Sequence, residues 1–114
     1  MELHGRLRLP GGVAAASGAR ATIRLVEVGR ADAPAVPVAE TSFLVEPGPG
    51  GEQAVAFDLE TPDLDPRLTY AVQVHVDVNG SGEVSVGDYL TTQHVGVTAA
   101  EGSRVLDVPL ERVG

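Results

Sequence analysis

From Asp77 to Asp88 the chain reads Asp-Val-Asn-Gly-Ser-Gly-Glu-Val-Ser-Val-Gly-Asp. Counted from Asp77, oxygen-bearing residues fall at positions 1, 3, 5, 7, 9 and 12, with glycine at position 6. This is the spacing of a calcium loop of the EF-hand type. Ca²⁺ is a hard cation that takes about six to eight oxygens at roughly 2.3–2.6 Å, and alternate residues of a tightly wound loop can all point at one ion. The spacing predicts side-chain ligands from Asp77, Asn79 and Ser81, and a backbone carbonyl from Glu83. Ser85 would bind directly or through water, and Asp88 would close the site. Gly82 permits the sharp reversal, because glycine reaches positive φ without steric cost. Val84, at position 8, is expected to anchor the loop to the protein.

Only Asp77 and Asp88 bring side-chain charge, and Asp88 is shorter than the bidentate glutamate usual at position 12. Low ligand charge sets affinity in the range of about 10⁻⁵ to 10⁻³ M. That range suits calcium outside the cytosol. The competing reading is a polar hairpin loop, since Asn-Gly and Ser-Gly are ordinary turn dipeptides. A hairpin, however, needs only about two to five loop residues. The flanks alternate as strands, so the loop would be a calcium staple on a β-protein.

Other chemistry is weakly encoded. If Asp77 pairs with Asp88, His75 faces Leu90 and His94 faces Ala71. The two histidines then do not converge, as a metal site requires. No nucleophile elbow accompanies the serines and histidines. Asp63 and Asp65 lie in a Pro-containing turn, where turn formation explains them. No glycine loop of the phosphate-cradling kind follows a strand and opens a helix.

The elements that must hold the loop are short strands. Leu3, Leu7 and Leu9 share one face of a first strand, with His4, Arg6 and Arg8 on the other. A second strand spans about Ala19 to Val28, with Ile23 and Leu25 inward. A change of phase near Val26 predicts a bulge. The third covers about Val36 to Val45, and Val55, Phe57 and Leu59 mark the fourth. Asp63 to Arg67 turns the chain into the fifth. There Tyr70, Val72, Val74 and Val76 point inward and Ala71, Gln73, His75 and Asp77 outward. The sixth runs from Tyr89 to Val97. The seventh carries Leu106, Val108 and Leu110, with Pro109 indicating an edge. Ala14 to Ala16 and Glu46 to Glu52 are expected to be loops. Seven alternating strands without helix signals predict an all-β chain, a compact antiparallel β-sandwich or small barrel.

At 114 residues the chain is expected to be one domain. It has no cysteine, which excludes disulfides and thiolate chemistry. Its net charge is −8, its only basic residues are arginines, and it has four aromatic residues. Nucleic acid and anionic lipid would be repelled, and base-stacking platforms are lacking. No apolar run is long enough for a transmembrane segment. No signal-peptide pattern follows Met1, which predicts a cytoplasmic location. A processed form would instead be periplasmic or extracellular.

Several stretches resemble the YbaY-like lipoproteins and the type III secretion lipoprotein chaperones of the YscW type. They are Ala21-Thr22-Ile23-Arg24-Leu25-Val26-Glu27-Val28 leading into Arg30-Ala31-Asp32-Ala33-Pro34-Ala35, then Val38-Ala39-Glu40-Thr41, and Leu64-Asp65-Pro66-Arg67 before Tyr70-Ala71-Val72. The resemblance implies a β-sandwich with an envelope or secretion role and no catalysis. The family's chaperones stabilise and guide an outer-membrane secretin. The reading that joins these expectations is a non-enzymatic, calcium-stabilised β-sandwich that binds a protein partner. Exposed edge strands also allow a homodimer. Two alternatives stay open: a calcium-dependent accessory domain of a hydrolase, and a structural domain without metal.

Overall fold

Alternation of apolar and polar side chains sets the strands, because each buries one face and wets the other. A computed structural model describes residues 2–10, 18–28, 36–45, 54–92, 95–97 and 105–114. The expected loops at Ala14 to Ala16 and Glu46 to Glu52 lie outside these residues.

Among the described residues the elements are strands, with no helix. β1 (Glu2–Arg8), β4 (Ala54–Glu60) and β8 (Val105–Pro109) form a three-stranded sheet in the order β4-β1-β8. The larger sheet runs β3 (Val36–Leu44), β2 (Arg20–Glu27), β5 (Tyr70–Asp77), β6 (Tyr89–Leu90), β9 (Glu111–Arg112), and β7 (Gly96–Val97) also pairs with β5. The all-β expectation is met, and the two sheets share a single core cluster. Leu3, Leu7, Phe57, Leu59, Leu106 and Val108 come from the small sheet, and Ala21, Ile23, Leu25, Val72, Val74 and Val76 from the large one. Every residue expected in the core from β2, β4, β5 and the last strand is buried, including Tyr70 and Leu110.

Several details depart from simple alternation. The register of β2 against β3 shifts between Leu25 and Val26, where the bulge was expected. β1 and β8 run parallel, whereas the other pairs are antiparallel. The final strand divides at Leu110. Pro109 ends β8 at the edge of the small sheet, Leu110 donates its N–H to the Arg8 carbonyl, and β9 then joins the large sheet. The sixth strand divides too. Tyr89 and Leu90 pair with Val76 and His75, but Gly96 and Val97 pair with Ala71 and Tyr70. The second register is two residues out of step with the first, so Gly96, not His94, lies opposite Ala71. His94 itself is outside the described residues. Ala71 is buried beside Val26 instead of facing solvent.

The entry to β5 is pinned by a buried phenol. Leu64 and Tyr70 are both buried, and the Tyr70 hydroxyl accepts the Asp65 backbone N–H at 3.0 Å. A tyrosine hydroxyl tied back to backbone a few residues upstream recurs at corners of Greek-key sandwiches. The Asp65 carboxylate caps its own turn by accepting the Arg67 backbone N–H at 2.9 Å.

Gly5 lies on the inward face of β1, between Phe57 of β4 and Leu106 of β8. A Cβ there would stand 2.4 Å from two Phe57 ring carbons and 3.1 Å from the Leu106 carbonyl oxygen. The ring occupies the volume that a larger residue would need. Gly5→Ala is therefore expected to cost about 1–3 kcal/mol, the usual penalty of overpacking. Phe57→Ala should cost about 3–5 kcal/mol. In the double variant the Gly5→Ala penalty should largely vanish, a coupling of at least about 1 kcal/mol. Urea unfolding of the four proteins measures it, and strictly additive losses would rule out this contact.

Candidate cation-binding loop and the adjoining cavity

Pairing of β5 with β6 brings the two ends of the Asp77–Asp88 loop together. Val76 faces Tyr89 and His75 faces Leu90, the register expected from pairing Asp77 with Asp88. Gly80, Gly82 and Gly87 take φ of 71°, 78° and 97°, a left-handed conformation open mainly to glycine. Gly82 is thus the reversal point the spacing predicts.

Both end carboxylates are turned into the loop. Asp77 is outward on β5, but the loop closes over it and leaves it only 8% exposed. Its two oxygens accept backbone N–H groups from Gly80 (3.0 Å) and Gly82 (2.8 Å). Asp88 is fully buried. Its Oδ1 accepts the Val78 N–H at 2.9 Å, and its Oδ2 accepts the Ser85 N–H at 3.0 Å and His75 Nε2 at 2.8 Å. Burial alone would push the Asp88 carboxyl up. The bond to His75 and the N–H groups of Val78 and Ser85 outweigh it and hold the carboxyl below the usual carboxylate range.

The remaining predicted ligands form a second group. Ser81 Oγ donates to the Glu83 carbonyl at 3.0 Å, Ser85 Oγ to the same carbonyl at 3.3 Å, and the two hydroxyls are 3.2 Å apart. Loop positions 5, 7 and 9 thereby present three oxygens in a triangle. Asn79 Oδ1 is engaged by the Ser81 N–H at 3.0 Å. Val84 does not anchor the loop: it is 54% exposed and stands on the rim of a cavity. Five of the six predicted residues thus fall into two neighbouring groups, the buried aspartates and the Ser81–Glu83–Ser85 triangle, and Asn79 belongs to neither.

Sequence reasoning set His75 aside as a surface histidine. It is 24% exposed at the side chain, and its imidazole meets Asp88. Ligand atoms of His75, Asp77 and Asp88 all lie within 4.8 Å of one another. The signal was present: His75 and Asp77 share one face of β5 by two-residue periodicity, and Asp88 lies across the ladder. Ser85 Oγ points to Ser81 and Glu83 instead of His75, so no serine–histidine–aspartate relay is assembled here.

The cavity, about 630 Å³, lies on the outer face of the large sheet. Arg20 and Arg24 of β2, Gln73 and His75 of β5, and Glu83 and Val84 of the loop line it. Arg24 is paired with Glu40 at 3.3 Å. Arg20 stands opposite Asp77 in the ladder, yet it reaches Ser42 Oγ, at 3.4 Å, and leaves the carboxylate to the loop. Arg6 and Arg8 are exposed on the other sheet, as expected. There His4 is raised above its ordinary value, chiefly by its hydrogen bond to Asp58 and then by the charges of Asp58 and Glu2.

A solved structure of an alternative pilotin from the type II secretion system of Vibrio cholerae is similar to this chain. The TM-score is 0.68 at 22% sequence identity, covering 100% of this chain and 97% of that one. At this identity the likeness establishes the fold. No protein-family model matches the chain, and no curated protein matches it.

The lowered Asp88 carboxyl makes stability pH-dependent with a definite sign. A group whose folded value is depressed stabilises fully above its unfolded value of about 3.9 and loses that contribution as pH falls through the folded value. Asp88→Asn cannot titrate, and its amide N–H₂ cannot accept the N–H groups now bound. The variant should be less stable at pH 7 by roughly 2–4 kcal/mol, the scale of losing charged, buried hydrogen bonds. The gap to wild type should narrow below about pH 4. Urea unfolding at pH 7, 4 and 3 measures this, and a gap independent of pH would contradict the assigned role.

Proposed function

We propose that this chain is a non-enzymatic protein-binding module of a secretion apparatus, in which one calcium ion orders the Asp77–Asp88 loop. The observation that carries the proposal is the whole-chain likeness to a pilotin, spanning 100% and 97% of the two chains. It agrees with the resemblance of the Ala21–Val28, Val38–Thr41 and Leu64–Val72 segments to the YbaY-like and YscW-type lipoproteins. The partner by that analogy is a secretin. The module would act as one β-sandwich domain, and its weak calcium site would suit a processed, periplasmic or extracellular form. Among the described residues β3 is an edge of the larger sheet, which leaves room for homodimerisation.

Calcium would be held by Asp77, Asn79, Ser81, the Glu83 carbonyl, Ser85 and Asp88. The oxygen triangle at Ser81, Glu83 and Ser85 supports this donor set, since hard cations take oxygen ligands of mixed charge. For binding, the two serine hydroxyl hydrogens turn away and the lone pairs turn to the ion. The bound loop would stiffen one wall of the cavity and so shape the surface a partner meets.

Two measurements test this. Overlapping segments of a secretin from the same genome are titrated into the purified chain by calorimetry. One segment should bind at 1:1, and failure of all of them at 100 μM, about the limit of a useful interaction of roughly 5–6 kcal/mol, would sink the partner assignment. For the ion, calcium at 100 times its dissociation constant should raise stability by about 2.7 kcal/mol. Asp77→Ala should abolish the gain and Asp32→Ala, outside the loop, should keep it. Magnesium should substitute poorly, because it holds its water and demands octahedral geometry. A wild-type thermal midpoint unchanged between chelator and millimolar calcium would remove calcium from the account.

A further inference from the structure

Asp77 and Asp88 are both buried, with ligand atoms within 4.8 Å of each other and of His75 Nε2 or Nδ1. Two carboxylates so close repel, and burial strengthens the repulsion. His75 faces Asp88, but Asp77 has only the Gly80 and Gly82 N–H groups, with no cationic partner among the described residues. Its ladder neighbour Arg20 is directed to Ser42. The cluster therefore sets two buried carboxylates against a single imidazole. It also contains an aromatic nitrogen donor, which a calcium loop does not use.

We propose that His75, Asp77 and Asp88 form a binding site for a transition metal of the zinc class, alternative to calcium in the same loop. Imidazole nitrogen with carboxylate oxygen suits zinc and its neighbours, whereas calcium takes oxygen alone. Zinc with bonds of about 2.0–2.1 Å holds its ligands roughly 3.3 Å apart; the three ligand atoms already lie within 4.8 Å of one another, and His75 Nε2 and Asp88 Oδ2, now 2.8 Å apart, would part slightly. His75 Nε2 now faces Asp88 Oδ2 at 2.8 Å. On binding, the neutral imidazole gives Nε2 to the metal and carries its one N–H on Nδ1. His75 and Asp77 line the cavity, which supplies an entry path and an open position for water. The two modes share Asp77 and Asp88 and exclude each other. Only the zinc mode requires His75, and only the calcium mode requires the Ser81–Glu83–Ser85 triangle. The inference does not depend on calcium being bound.

The test uses the full chain freed of metal by chelator, titrated separately with zinc and with calcium by calorimetry. Cobalt(II) serves as a spectroscopic probe of nitrogen coordination. Wild type should bind zinc at 1:1 and give a visible cobalt band. Second-shell partners alone are worth about 10–100-fold in affinity, so losing His75 itself should weaken zinc about a hundredfold or more. His75→Gln should thus lose the zinc and the cobalt band, and should weaken zinc far more than calcium, for which His75 is only a partner of the ligand Asp88. His4→Ala, in the exposed Glu2–His4–Asp58 cluster, should keep both. Unchanged far-UV circular dichroism confirms that each variant is folded. Zinc binding that survives His75→Gln, or no zinc binding by wild type, overturns the inference. Calcium binding without zinc leaves the calcium reading standing alone, and zinc without calcium does the reverse.

Discussion

The constraint on which the structure depends is the position of β5. It is hydrogen-bonded to β2 along its whole length and to β6 and β7 on its other side. Its inward residues Val72, Val74 and Val76 meet Leu25, Ile23 and Ala21 across the ladder and close the core against the small sheet. Its outward residues Gln73, His75 and Asp77 are thereby fixed as floor and corner of the cavity. Slipping β5 by one residue would turn the valines to solvent and the titratable groups into the core. The same register that stabilises the sandwich therefore aims the candidate site.

Asp88 extends that constraint across the loop. Its carboxylate gathers Val78, Ser85 and His75, from both ends of the excursion and from the strand beneath. Asp77 does the equivalent for the glycine turn. Satisfying these donors costs the loop two buried charges, tolerable only because each carboxylate accepts several hydrogen bonds. The calcium and zinc proposals rest on the same two buried carboxylates.

At the other end of β5, Tyr70 serves the fold. Its hydroxyl on Asp65 sets where the strand begins, and the Asp65–Arg67 turn delivers the chain there. The Leu64-Asp65-Pro66-Arg67 segment, one of the stretches that carries the family resemblance, thus has a structural task. The likeness to a pilotin at 22% identity shows the fold alone. Functional assignment for such a fold rests on its surface features, here the loop and the cavity.

Much of this was legible in the chain itself. Period-two alternation located the strands from β1 to β5 and the buried faces of β1, β2 and, apart from Ala71, β5, because a half-buried strand has no other way to arrange apolar side chains. The phase change at Val26 marked the bulge, Pro109 marked an edge, and loop spacing placed Gly82 at the reversal. What the sequence could not decide depends on which strands become neighbours. The parallel pairing of β1 with β8, the division of the last strand at Leu110 and the offset of Gly96 from Ala71 all follow from sheet assembly. Gly5 gave no sign that Phe57 would fill its space. Val84 proved exposed because nothing packs over it. Most consequentially, the two-residue spacing put His75 and Asp77 on one face of β5, but Asp88, at the far end of the loop, reached His75 only when β5 and β6 paired.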